Sequence, residues 1–196
     1  MLIFLRIGIS LMPNRHPDPT APMPAAYVAR DPWNSARPGV LVIACSDGRI
    51  QEPVDEFLAT VGVAHYDRLY VPGGPGALTA SGVSFMRADQ FRRECAFLIQ
   101  AHGVADVYLI FHGPAEDGPP EATCADYRQK LPNHTPDQIR AQQQRDSDEI
   151  LRQGFAWNVS PRVHPFRCEV TGDGTVQFVS LAGEPAPFMP PPPLAI

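Results

Sequence analysis

Short apolar runs alternate with amphipathic stretches along this chain, and the alternation sorts it into strands and helices. Val40-Leu41-Val42-Ile43-Ala44 and Val107-Tyr108-Leu109-Ile110-Phe111 are continuous apolar runs. They read as strands buried on both faces, the habit of a parallel sheet. Residues 67–71 read as a further strand. Between them, Val54, Phe57 and Leu58 recur at helical spacing over 51–60, with Pro53 in the first turn, where its missing N–H is not needed. Phe85, Ala88, Phe91, Cys95, Leu98 and Ile99 form one apolar stripe, which predicts a helix over 84–102 ended by Gly103. Thr135-Pro136-Asp137-Gln138 offers an N-cap and a proline at the first helical position. The helix it starts runs to about Gln153 and stops at Gly154. Its Gln142-Gln143-Gln144-Arg145-Asp146 stretch reads as a solvated face. Residues 162–171 and 175–181 flank Gly172-Asp173-Gly174, a hairpin signal. The predicted class is α/β: a small, mainly parallel sheet flanked by helices, with a C-terminal hairpin.

The ends lack this periodicity. Residues 13–38 are rich in proline and read as an extended arm lying on the surface or on a partner subunit. The expected organisation is therefore an arm over 1–38, a domain over 39–183 and a Pro-rich tail over 184–196 with no reason to order on its own. The apolar opening, residues 1–12, is far short of the ~20 residues a bilayer span needs. It lacks a basic start and a clean small-x-small cleavage site. It reads as a packed arm, as residues ahead of the true start, or as a weak export signal, and the expectation is a cytoplasmic protein without a membrane span.

A chain of 196 residues fits one domain with a proper core. A net charge of −5 argues against nucleic acid as a partner, since a binder should show a basic face. The 4 cysteines lack the density of a secreted, disulfide-stapled scaffold and read as reduced.

The chemistry concentrates at strand ends. Cys45-Ser46-Asp47-Gly48-Arg49 follows the first apolar run directly, at the carboxyl end of a central strand, where open α/β sheets place their sites. Cys45 offers a thiolate to a soft metal, Asp47 can accept a hydrogen bond or bind metal, and Arg49 can fork onto that carboxylate. His112 ends the second buried strand, one β-α-β excursion later, so the two strand ends could be neighbours. A Cys and a His are two of the three protein ligands a catalytic zinc needs, and a Cys2His set leaves the fourth position open. Cys124 is the natural third ligand, with Glu116 and Asp117 as rivals. The turn Pro72-Gly73-Gly74-Pro75-Gly76 lets backbone approach something closely. As a phosphate loop it is poor, having neither a lysine nor a G-x-G-x-x-G frame. Cys95 and Cys168 read as buried thiols. His102 reads as meeting a helix dipole, His65, His134 and His164 as exposed, and His16 belongs to the arm.

The Cys45–Arg49 frame, a following helix, His112 after an apolar strand and a cysteine beyond resemble the β-class carbonic anhydrases, with their C-x-D-x-R and H-x-x-C motifs. The resemblance spans roughly residues 40–154. The first motif matches residue for residue. The second is stretched, so 113–123 look like an insertion, while Cys124-Ala125-Asp126-Tyr127 looks like the stretch after the family's second cysteine. The turn 72–76 replaces the Arg-Asn-Ala-Gly stretch that usually lines the family's site, as in a divergent branch.

What the resemblance implies is zinc (Zn2+) held by Cys45, His112 and Cys124. Asp47 and Arg49 would then be the catalytic pair, orienting a zinc-bound hydroxide for reversible hydration of carbon dioxide to bicarbonate. In closed forms of the family the aspartate binds zinc instead. The resemblance also implies a homodimer or higher homo-oligomer, with the N-terminal arm crossing to a partner. The same scaffold could hydrolyse another small linear electrophile, such as carbonyl sulfide or carbon disulfide, or serve as a zinc-binding protein without hydratase activity. Without a C-x-x-C, a thiol-redox role is weak.

Overall fold

The two continuous apolar runs become the central strands of a five-stranded sheet in the computed structural model, which describes residues 27–79 and 85–183. The strands are β1 (Val40–Cys45), β2 (Asp67–Val71), β3 (Asp106–Pro114), β4 (Arg162–Val170) and β5 (Val176–Ser180), in the order β2-β1-β3-β4-β5. The first four are parallel and β5 returns antiparallel to β4. Leu41, Val42, Ile43, Val107, Leu109 and Ile110 are sealed from solvent, as strands covered on both faces must be. This is the α/β, mainly parallel architecture that the patterning predicts.

β3 runs past the expected end at Phe111 and stays paired with β4 as far as Pro114 opposite Val170. His112 therefore lies inside a strand, because β4 is long enough to supply ladder partners there. The helices are α1 (Gln51–Thr60), α2 (Phe85–His102), α3 (Ala125–Lys130) and α4 (Pro136–Gln153). On α1, Val54 and Leu58 are buried, and Phe57 stacks on Phe178 of β5 at 4.2 Å and meets Phe166 of β4 edge-on. On α2 the predicted stripe is buried at Ala88, Phe91, Cys95 and Ile99. α4 opens with a full capping box between Thr135 and Gln138. α3 was not foreseen, since one turn and a half with a single buried residue, Tyr127, carries no readable period.

Two polar segments depart from the reading above. The 142–146 stretch is not a solvated face: Gln143 and Asp146 are fully buried. The polarity of these two is matched inside, as burial demands. Gln143 Nε2 donates to the His112 carbonyl at 2.9 Å, and Asp146 accepts from the Tyr127 hydroxyl at 2.5 Å and from Gln142 at 2.7 Å. His164 is half-buried in β4 rather than exposed, stacked on Tyr108 with Nε2 2.8 Å from Asp106. His65 and His134 are exposed. His102 ends α2, where its Nδ1 faces the Asp67 carboxylate at 2.7 Å. Cys95 and Cys168 are buried, and burial pushes both thiols up, Cys168 to about 12.

The chain divides into two units, Met1–Ser35 and Ala36–Ile196. Of the first, residues 27–35 are exposed and hold no helix or strand. The rest of the proposed arm over 1–26 and the tail over 184–196 lie outside the described residues, as does Ser84 at the expected start of α2. No helix among the described residues is long and apolar enough to cross a membrane.

Candidate metal centre

β1 delivers Cys45 as its last residue, and the chain turns at once into a 3-10 turn, Gly48–Ile50. Asp47 caps that turn by accepting from the Arg49 main-chain N–H at 3.0 Å. The Arg49 side chain then forks onto the same carboxylate, with Nε 3.0 Å from Oδ1 and Nη2 2.6 Å from Oδ2. This guanidinium holds the Asp47 carboxyl down at about 2, and the carboxylate in turn raises Arg49. Arg49 Nη1 also donates to the Glu121 carbonyl at 3.2 Å, so the segment between β3 and Cys124 steadies the pair.

β1 pairs with β3 through Ala44 opposite Ile110, which sets Cys45 and His112 at the same end of adjacent strands. After β3 the chain passes through another 3-10 turn, Pro120–Ala122, and reaches Cys124 as the N-cap of α3. Cys45, His112 and Cys124 are all buried, and one ligand atom from each lies within 4.8 Å of the other two. The two sulfurs are 3.9 Å apart. Glu116 and Asp117 are exposed and outside this cluster, so the structure brings in Cys124 and leaves both rivals aside. Asp47 also stays outside it, occupied by Arg49.

The electrostatics carry an unresolved conflict. A hydrogen bond from the Cys124 thiol, with help from His112, pulls the Cys45 thiol down against the opposing effect of burial. The same contact and burial push Cys124 up, although the main-chain N–H groups of Asp126 and Tyr127 donate towards its sulfur. Two thiolates this close repel unless a cation lies between them. His112 Nε2 is buried and has no hydrogen-bond partner. Two sulfurs and one imidazole, whose buried Nε2 is unsatisfied, fit zinc, which takes thiolate and imidazole donors in a tetrahedral set.

The glycine-rich turn underlies the centre. It forms a buried 3-10 turn, Gly74–Leu78, and its close approach is to the chain itself. Gly74 has φ +55°, and a Cβ on it would lie 2.7 Å from the Cys45 main-chain nitrogen. Gly76 leaves the space that the Tyr127 ring takes, so the turn braces both β1 and α3. Sequence reasoning missed the Glu121 carbonyl and the buried Gln143 beside His112. A backbone acceptor leaves no trace in residue identity, and glutamine on a polar helix looks like any solvated residue.

No protein-family model matches the chain, and neither does any curated protein sequence. Solved structures do. The β-carbonic anhydrase isoform I of Trichomonas vaginalis is 13% identical, with 77% of this chain and 86% of that one covered and a TM-score of 0.39. A carbonic anhydrase from Streptococcus mutans is 17% identical over 74% and 82%, with a TM-score of 0.42. An apo form of carbon disulfide hydrolase is 15% identical over 72% and 78%, with a TM-score of 0.39. No substrate follows from likeness at this level.

Proposed function

We propose that this protein is a carbonic-anhydrase-like zinc lyase that reversibly hydrates carbon dioxide to bicarbonate. The observation that carries the reading is the convergence of Cys45 from the end of β1, His112 from β3 and Cys124 from the N-cap of α3, together with an Asp47 that Arg49 holds ionised. Cys45 and Cys124 would hold the metal through sulfur and His112 through its ring. Bound there, zinc would lower the pKa of a water from 15.7 towards about 7 and make a nucleophile available at neutral pH. Asp47 acts as the hydrogen-bond acceptor that orients the attacking oxygen. Arg49 keeps that carboxylate ionised and fixes its direction. Four reduced cysteines agree with a reducing compartment such as the cytoplasm.

A neighbouring reading keeps the centre and changes the substrate to another small linear electrophile. The segment between β3 and Cys124 favours it, because the Glu121 carbonyl reaches Arg49 and so shapes the approach beside the pair. Carbonyl sulfide and carbon disulfide assays separate the two.

The test is elemental analysis of protein purified without chelator, beside Cys124→Ala. Near-stoichiometric zinc that falls sharply in the variant supports the centre and justifies stopped-flow hydration assays. A chain without zinc, or with zinc indifferent to Cys124, would overturn it.

A further inference from the structure

Arg167 is a charged side chain in an unusual place. It lies on β4 with 1% of its surface exposed, and burying a guanidinium is costly unless its donors are matched. Here they are. Nε donates to Gln143 Oε1 at 2.7 Å, Nη2 donates to the Pro114 carbonyl at 2.9 Å, and Nη1 donates to the Glu169 carboxylate. Glu169 in turn accepts from Gln177 at 3.2 Å.

Gln143 is the joint in this chain of bonds. Its oxygen serves Arg167 and its nitrogen donates to the His112 carbonyl at 2.9 Å. Because Arg167 can only donate and a carbonyl can only accept, one orientation of the amide satisfies both neighbours. Gly113 stands between the two engaged carbonyls, and a Cβ on it would lie 2.6 Å from Arg167 Nη2. The β3 main chain is therefore gripped on both sides of Gly113, at His112 and at Pro114. An apolar filling of the same volume could serve packing alone as well or better. What the polar filling adds is a fixed direction for the strand end that carries His112.

We propose that Gln143 and Arg167 are positioning residues for the metal centre: they preset the His112 imidazole against Cys45 and Cys124 through the His112 and Pro114 carbonyls. The inference rests on the zinc reading above. Outer partners of this kind typically carry about 10–100-fold of metal affinity when removed.

The test compares zinc affinity, by competition with a chromophoric chelator, in the full chain and in Gln143→Glu. The carboxylate still accepts from Arg167 but has no donor for the His112 carbonyl. Zinc affinity is expected to fall about 10–100-fold, and the visible bands of the cobalt(II)-substituted protein should shift. Gln143→Met removes the donor without adding charge and takes its place if the carboxylate variant does not fold. Gln177→Leu, at the far end of the network, is the control for general loosening and should leave zinc affinity within about twofold, short of that range. Variants that fold and bind zinc as the parent does, or a loss shared equally by Gln177→Leu, would overturn the positioning role. A parent that holds no zinc, or whose zinc ignores Cys124→Ala, would instead remove the centre itself and this role with it.

Discussion

Cys45, Asp47 and Arg49 are placed by one strand end and one turn, whereas His112 and Cys124 meet only because a loop, a short helix and α4 all dock correctly. The first half of the centre is local, and its guanidinium faces solvent: the Arg49 side chain is 60% exposed. The second half is long-range and sealed, with Cys124 and Tyr127 at 1% exposure. A locally built half survives modest loss of stability. A half assembled by packing is lost with the packing. Substitutions that separate stability from chemistry should therefore divide along this line.

The largest expected effect is that of Gly74→Ala, in the turn that braces both halves. The new Cβ meets the Cys45 backbone, and φ +55° adds left-handed strain. Overpacking and strain together should cost on the order of 4 kcal/mol or abolish folding, read by thermal melts. Next comes Asp47→Asn, confined to the local half. Hydration should fall about 10²–10⁴-fold, as for loss of a positioned proton acceptor, while zinc content stays at the parent level. If zinc leaves with the activity, Asp47 is a ligand.

A smaller effect belongs to the packed half. Tyr127→Phe takes from buried Asp146 its 2.5 Å donor. The expected loss is roughly 1–3 kcal/mol of stability in urea melts, with reduced zinc retention on warming and no change at Asp47. The smallest effect tests a region outside the comparison. Arg162 and His164 hold Asp106 below its ordinary 3.8. A depressed carboxyl contributes stability above its unfolded pKa and loses it as pH falls through the folded one. The Tm difference between parent and Asp106→Asn should thus be full at pH 7 and close below 3.8. A gap that widens in acid would reverse that assignment.

The same line divides what was legible in the sequence. The strands β1 and β3, the stripe of α2 and the cap of α4 follow from periodicity and local chemistry, which a single chain displays. So does the Asp47–Arg49 fork, because two residues of separation allow little else. Cys124 was readable as the natural third ligand, with Glu116 and Asp117 as rivals, but what sets it in place was hidden. α3 is too short to show a period, and the Tyr127–Asp146 bond joins residues with no local relation. Gln143, Asp146 and Arg167 were illegible for one reason: their polarity matches solvent as well as it matches one another. Only the fold reveals which they face. The histidines make the point at small scale, since His65 reads correctly from its turn while His164 is drawn inward by Tyr108 and Asp106.

The contact between Arg49 and Glu121 uses a carbonyl that all twenty residue types carry. What the guanidinium senses is the length of the 113–123 segment, not its lettering. In a saturation scan, position 121 would tolerate nearly every substitution and look unimportant. Removing one residue anywhere between 115 and 121 would shift that carbonyl away and register at once. Substitution data alone would pass over this part of the loop, and a deletion series would find it.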